Sequence, residues 1–268
     1  RWQDKVIKQI PQTFSDLGPT YVKFGQIIAS SPGAFGEPLS REFRTLLDAV
    51  PAADSDAVHE LFKEELGDEP QNLFKEWEET PFASASIAQV HYATLHSGEE
   101  VVVKIQRPGI RRRVAADLQI LKRFAQLVEV AKLGRRLSAQ DVVADFSDNL
   151  AEELDFRIEA QSMEAWVTHL QASPLGKNIK VPDVHWDFTS ERVLTMERVA
   201  GTRIDDVAAI RKQGFDGEEL VKALLFSTFE GGLRHGLFHG DLHAGNLLVD
   251  QQGRVVFLDF GIMGRIDP

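Results

Sequence analysis

The residue types and spacings with the clearest chemistry lie near the end of the chain. His239-Gly240-Asp241-Leu242-His243-Ala244-Gly245-Asn246 is followed, thirteen residues after Asn246, by Asp259-Phe260-Gly261. Phosphoryl transfer from a nucleotide needs little covalent help. It needs metal ions on the phosphates and a carboxylate that positions the acceptor. Asp241, following an apolar helical stretch, suits the positioning role, while Asn246 and Asp259 offer hard oxygen ligands for Mg²⁺. Three residues such as Asp-Phe-Gly occur by chance, so the weight rests on the combined set and its order. His235, His239 and His243 also recur every four residues, which on one helix would make a metal stripe. Gly236 and Gly240 interrupt that helix, leaving His239 as a residue that braces backbone.

A nucleotide site also needs a cation for the phosphates. Val101-Val102-Val103-Lys104-Ile105-Gln106 puts Lys104 in an apolar strand, on the face shared with Val102 and Gln106. An ammonium there requires an anion or a ligand, unless the strand is an edge and the amine is solvated. Glu152-Glu153-Leu154-Asp155-Phe156-Arg157-Ile158-Glu159 supplies candidates. Asp155 and Glu159 are i,i+4 neighbours on a helix, so either could hold Lys104. Glu153 points about 200° away from Asp155 on an ideal helix, so both face one way only where the helix begins or bends. The plainer alternative is an exposed acidic first turn favoured by the helix dipole.

These residues need elements to position them. Helices are expected at Lys5–Phe14, from Pro19 and around Ser55–Leu66, Gly18-Pro19 being a start signal because proline at the first helical position gives up only an unused N–H. Residues 31–38 (Ser-Pro-Gly-Ala-Phe-Gly-Glu-Pro) predict a loop. Strands are expected at Ser86–Leu95 and Val101–Gln106 around a turn at Ser97-Gly98, then at Val181–Trp186, Arg192–Met196, Leu247–Val249 and Val255–Leu258. Helical periodicity covers Arg111–Leu133, Ala139–Leu170 and Gly217–His235. The order gives an α+β chain of two lobes with a helical preface, divided at 1–70, 71–199 and 200–268.

Length and composition bound these readings. The chain has 268 residues, 43% hydrophobic and 26% charged, which is globular composition. It has no cysteine, which excludes disulfides and thiolate chemistry and fits a reducing compartment. No apolar run is long enough to span a bilayer. Starting at Arg1 without a signal-peptide pattern, it reads as a trimmed segment. A net charge of −11 argues against a general nucleic-acid binder. The charge is uneven: residues 107–136 hold nine basic residues (Arg107, Arg111, Arg112, Arg113, Lys122, Arg123, Lys132, Arg135, Arg136) against Asp117 and Glu129, a net +7. That strip could meet anionic lipid or an acidic partner, or be a solvated helix face.

Taken together, the residues resemble the UbiB-like, aarF-domain atypical kinases of the protein-kinase-like superfamily, over nearly the whole chain. Asp241 with Asn246, then Asp259-Phe260-Gly261, follows the protein-kinase order. Lys23-Phe24-Gly25-Gln26 is similar to the family's K-x-G-Q element, and Glu153-Leu154-Asp155 to its E-x-D element. Residues 82–91 (Phe-Ala-Ser-Ala-Ser-Ile-Ala-Gln-Val-His) are similar to the alanine-rich loop that replaces the usual glycine-rich loop. The chain departs from that loop at Ser84, where the family often has Ala, and at Ala88, where it often has Gly.

The resemblance implies a protein-kinase-like two-lobe fold with an N-terminal helical extension and a C-lobe cut short at Pro268. It implies an ATP- or ADP-binding kinase or ATPase using Mg²⁺, with doubtful protein-kinase activity, supporting ubiquinone or another isoprenoid quinone's biosynthesis. The place would be the cytoplasmic side of a bacterial inner membrane or organelle membrane, peripheral through this segment. Partners would be the nucleotide and, through 107–136, anionic lipid or quinone-pathway proteins, with no nucleic acid. Lys104, Glu159 and Asp241 would be catalytic, Asn246 and Asp259 would hold metal, and Ala83, Ser84, Ala85 and Ser86 with Lys104 would take the phosphates. Glu197 and Val199 would offer hinge groups to adenine, and Lys23, Gln26, Glu153 and Asp155 would gate the cleft. Two alternatives remain open: a small-molecule phosphotransferase of aminoglycoside- or choline-kinase type, which lacks the K-x-G-Q and E-x-D elements, and a nucleotide-gated scaffold without turnover.

Overall fold

The computed structural model describes residues 2–44, 51–130, 138–171, 173 and 176–266. The chain divides into two compact units, each assembled from separate stretches: Arg1–Leu61, Glu79–His91 and Ile105–Leu154 in the first, and Phe62–Glu78, Tyr92–Lys104 and Asp155–Pro268 in the second. In order the elements are α1 (Trp2–Leu17), α2 (Pro19–Ser30), α3 (Pro32–Phe35), α4 (Glu37–Phe43), α5 (Ser55–Leu66), α6 (Pro70–Leu73), β1 (Glu76–Trp77), β2 (Ala83–Ser84), β3 (Ala88–Thr94) and β4 (Glu100–Gln106). Then come α7 (Ile110–Val130), α8 (Ala139–Glu153), α9 (Phe156–Gln171), β5 (Ile179–Lys180), β6 (Val193–Glu197), β7 (Gly201–Arg203), α10 (Val207–Lys212), α11 (Gly217–His235), β8 (Leu237–His239), β9 (Leu247–Asp250), β10 (Val255–Phe257) and β11 (Met263–Arg265).

In the first unit, helices pack through aromatic and aliphatic side chains. Phe24 of α2 lies 5.0 Å from Phe146 of α8, and Phe14 of α1 meets Phe43 of α4 edge-on at 4.9 Å. Val114, Leu121 and Ala125 form the buried stripe of α7, and Val143, Phe146 and Leu150 that of α8. This three-to-four spacing is what a helix needs to bury one face. A buried polar contact fixes the α2–α7 register, Thr20 Oγ1 donating to Asp117 Oδ2 at 2.6 Å. α8 starts where Ser138 accepts the Asp141 N–H, as an N-cap side chain should.

Residues 31–38 depart from the predicted loop. Pro32 and Pro38 each sit in the first turn of a short helix, α3 and α4. Proline there loses no hydrogen bond, and Gly36 at φ 89° supplies the reversal between them. Ser40 Oγ then donates to Ile28 O at 2.7 Å, seating α4 on α2.

In the second unit, β5, β10, β9 and β7 form one sheet in that order, and β8 pairs with β11, Met263 opposite His239. Trp166 of α9 packs between Phe257 and Phe260, at 5.9 and 6.1 Å. Gly231 of α11 is needed for this packing, because a Cβ there would lie 2.9 Å from the Trp166 ring. Val181–Trp186 departs from the predicted strand. Only Val184 bridges, to Met196, and residues 186–188 form a 3-10 turn. Pro182 has no N–H to give a ladder. α7 is described to Val130, and the part of its predicted course up to Leu133, with Lys132, Arg135 and Arg136, lies outside the described residues.

The sheet that carries Lys104 runs β1-β3-β4-β6, with β2 on β3. In β4, Val101, Val103 and Ile105 are buried while Val102 and Lys104 are half-buried, the alternation expected of a pleated strand.

The His169 ring of α9 stacks on the His235 ring of α11, with centroids 4.1 Å apart and planes within 8°. Burial, and then the neighbouring His235, hold the His169 imidazole below its ordinary pKa. It is therefore neutral in the fold at pH values where the unfolded chain already binds a proton. Stability from this pair is present above the unfolded value near 6.5 and is lost as pH falls below it toward the folded value. A His169→Phe variant keeps the stack and cannot titrate. Its melting temperature is expected to fall less than the wild type's between about pH 7 and pH 5. Equal losses in both proteins would exclude this pair as a source of acid sensitivity.

Candidate functional site

The second unit joins a strand, a helix start and two loops around Lys104. Lys104 Nζ lies 3.0 Å from Glu159 Oε1 and 2.9 Å from Oε2, and 3.8 Å from Asp259 Oδ2. It also sits 5.2 Å above the Phe156 ring, a cation–π contact. Of the sequence candidates, Glu159 rather than Asp155 holds the ammonium. The helical run breaks between α8 and α9, so Glu159 falls in the first turn of a new helix. A carboxylate is favoured there by the helix dipole. Asp155 instead caps that turn, accepting from the Arg157 N–H at 3.1 Å and from its guanidinium at 2.8 and 2.7 Å.

Glu159 is 5% exposed and Lys104 18%. Burial pushes the Glu159 carboxyl up from the usual carboxylate range. Lys104 pulls it back, Asp259 raises it further, and the Phe260 N–H lowers it, with burial prevailing. The ammonium is the larger of the two influences that favour the ionised form at this position.

Two loops bring the remaining acidic candidates. His239 is buried and uses both ring nitrogens: Nδ1 accepts the Asp241 N–H at 3.2 Å, so Nε2 carries the proton it donates to Asp259 O. One imidazole thus braces the start of the Asp241 loop against the Asp259 backbone. Asp259 Oδ1 accepts the Gly261 N–H at 2.8 Å. Asn246 Nδ2 points to Asp241 O at 3.4 Å, and Asn246 O accepts from Leu258 N at 3.0 Å. Those bonds commit the amide nitrogen of Asn246 and one oxygen of Asp259. The Asn246 side-chain oxygen and the Asp259 carboxylate, whose Oδ2 also faces Lys104 Nζ at 3.8 Å, are hard oxygen donors of the kind Mg²⁺ takes. The three candidate stripe histidines do not converge, since His235 stacks on His169 and His243 Nδ1 accepts the Gly245 N–H. Among the described residues no group of three or more His, Cys, Asp and Glu could hold a metal by itself.

At the predicted hinge, the Glu197 N–H is already given to Asp183 O at 2.8 Å, and its carboxylate binds the Asp183 N–H and Lys180. Among the expected adenine groups, Glu197 therefore has its carbonyl rather than its N–H to offer. Val199 lies just past β6 and is half-buried.

In the first unit, Lys23 Nζ pairs with Glu153 Oε2 at 3.0 Å, both largely buried, and Gly25 is buried in the same helix. Gln26 lies one turn on in α2 and is half-buried. The alanine-rich loop is more tied down than its sequence indicates. Ala83 and Ser84 pair with Val90 and Gln89, and the Ala85 N–H closes onto Ala88 O at 2.8 Å, with Ser86 buried at the tip. Arg107, read from sequence only as part of the basic strip, donates to Ser84 Oγ at 3.1 Å and to Pro51 O at 2.8 Å, while its N–H reaches Ile87 O at 2.9 Å. Gln89 accepts the Ala53 N–H at 2.8 Å. The available signal was an arginine placed directly after an apolar strand and before Pro108-Gly109. Arg111 and Arg113 are similarly engaged, with Leu154 O and Leu17 O.

The buried pair gives a sharp pH test. A Lys104→Met variant is expected to lose about 3 kcal/mol in urea unfolding at neutral pH, since it leaves a buried carboxylate without its partner. Its Glu159, raised further, gains a proton in the fold before it does in the unfolded chain. Stability relative to wild type is therefore expected to recover as pH falls through the folded-state value toward the ordinary carboxylate range of the unfolded chain. Adding Glu159→Gln should remove that recovery, and a recovery that survives it would show another group to be responsible.

No helix among the described residues is long and apolar enough to cross a membrane. The sequence matches the family model described as "ABC1 atypical kinase-like domain" over residues 45–268. It is 85% identical over its whole length to the Mycobacterium tuberculosis protein Rv0647c, of which it covers 55%. It is 36% identical to a "Probable protein kinase UbiB" of Marinobacter nauticus, covering 94% of this chain and 47% of that protein. It is 38% identical to an aarF domain-containing protein kinase of Arabidopsis thaliana, covering 95% and 48%. The chain thus spans about half the length of these curated relatives. A solved structure of Mycobacterium tuberculosis Rv3197 with erythromycin superposes with TM-score 0.64 at 30% identity, over 90% of this chain and 59% of that one. With this match over most of its length and a kinase-like α+β fold, the chain belongs to the ABC1 atypical kinase-like family.

Proposed function

We propose that this chain is the nucleotide-binding part of an atypical kinase or ATPase of the UbiB type, acting with Mg²⁺ in support of ubiquinone or another isoprenoid quinone's biosynthesis at a membrane. The observation that carries the reading is the buried Lys104–Glu159 pair beside Asp259. An ammonium fixed by a buried carboxylate, with a second carboxylate beside it, suits nucleotide phosphates and their metal. The family match and the relatives named as kinases support the same reading. The link to quinones rests on the K-x-G-Q and E-x-D resemblance.

Lys104 takes a phosphate oxygen and Glu159 keeps the ammonium in place. Asp241 orients the acceptor and accepts its proton at a carboxylate oxygen. Asn246 and Asp259 would hold Mg²⁺, which when bound neutralises the charge on the phosphates. Ala83, Ser84, Ala85 and Ser86 take the phosphates through backbone groups of the loop rather than side-chain hydroxyls, with Glu197 and Val199 toward the base. Lys23, Gln26, Glu153 and Asp155 restrict which acceptors enter. The exposed basic residues of 107–136 would meet anionic lipid.

Melting the protein with ADP and with ATP, each with and without Mg²⁺, tests this directly. Saturation at about a hundred times Kd corresponds to roughly 2.7 kcal/mol, hence a rise of several degrees. Asp259→Asn is expected to lose the Mg²⁺-dependent part of that rise. Full retention would remove Asp259 from the metal site, and no shift with either nucleotide in folded wild type would sink the nucleotide reading.

A further inference from the structure

The contacts of Arg107 serve neither Lys104 nor the acidic loops. Its guanidinium is partly withdrawn from water, which holds its pKa below the ordinary arginine value. Its two side-chain acceptors are neutral oxygens at different places in the chain: Ser84 Oγ in the alanine-rich loop and Pro51 O in the segment entering α5. A second bond joins the same two regions, from Ala53 N–H to Gln89 Oε1 at 2.8 Å. Gln89 is itself fixed, 1% exposed and 2.8 Å from the equally buried His91 Nε2. The Arg107 N–H on Ile87 O holds the far side of the loop tip. The loop is therefore gripped on both sides of its tip by residues outside it.

Resting on the nucleotide reading above, we propose that Arg107 is a positioning residue for the nucleotide: with Gln89 it fastens the loop at 82–88 to the 51–53 segment and so sets how tightly nucleotide is held. A loop of alanine and serine has little of the conformational freedom that glycine gives. Its amides serve a ligand only if they are already placed, and the fork of a guanidinium can hold two acceptors in fixed relation where an ammonium cannot. Releasing the clamp adds loop disorder that binding must then remove.

The test compares wild type, Arg107→Ala, Arg107→Lys, Ser84→Ala and the Ser84→Ala/Arg107→Ala double variant. MgADP and MgATP affinities are read by calorimetry, and amide hydrogen exchange by mass spectrometry over 82–88. Arg107→Ala is expected to weaken affinity about tenfold, the scale of one charge-assisted hydrogen bond, and to speed exchange in the loop. Arg107→Lys should recover part of both. Ser84→Ala should weaken binding about threefold alone and add nothing in the Arg107→Ala background, because the bond it removes is already gone. If Ser84 met the nucleotide directly and the clamp were irrelevant, its effect would persist there, and the proposal would fall. Faster loop exchange with unchanged affinity would likewise overturn it, leaving Arg107 a purely structural residue. Wild type that binds neither nucleotide would overturn the nucleotide reading, and this inference with it. Wild type that binds while Arg107→Ala and Arg107→Lys match it would overturn this inference alone. Should Arg107→Ala fail to fold, Arg107→Lys and Ser84→Ala read the same clamp.

Discussion

A carboxylate with almost no access to water sets the terms for the second unit. Glu159 is tolerable as an anion because Lys104 stands within 3.0 Å of both its oxygens. Each neighbouring element then has a defined duty. β4 must keep its alternation so that Lys104 leaves the core face while Val103 and Ile105 stay in it. The helical run must break after Glu153 so that α9 starts afresh and offers Glu159 from its first turn. The turn at Asp259–Gly261 must bring the Phe260 N–H to the same carboxylate, which ties the Asp-Phe-Gly segment to the pair rather than leaving it a separate loop.

His239 extends this arrangement to Asp241. Because Nδ1 is occupied as an acceptor, the tautomer is decided, and the ring donates in one direction only. A neutral imidazole thus does what two backbone groups could not do directly, linking loops twenty residues apart. The short β8–β11 pairing holds His239 at its place, opposite Met263.

Much of this was legible in the sequence, and the reasons differ by residue. Gly217–His235 and Ser55–Leu66 coincide with observed helices because their periodicity and flanking residues agree. Lys104 and Glu159 were readable because a charge in an apolar strand demands an anion, and helix spacing limited the candidates to Asp155 and Glu159. Spacing could not choose between them; the choice depended on where the helix broke, which Leu154-Asp155 does not announce. Pro32 and Pro38 were misread because proline marks both loops and helix starts, and only the following residues decide. Val181–Trp186 had strand composition, yet Pro182 removed a donor the ladder needed. Arg107 escaped because its partners are a main-chain carbonyl and one hydroxyl, neither of which leaves a mark at a fixed spacing.

That last contact has a consequence for how the protein tolerates change. At residues 51 and 53, Arg107 and Gln89 grip a carbonyl and an amide, not side chains. Every amino acid has the first group and all but proline have the second. The gripped segment can therefore drift freely in composition while its attachment survives, whereas the gripping residues cannot. Variation among descendants of this chain would be concentrated on one side of these two contacts, with proline at position 53 the substitution that side could not absorb.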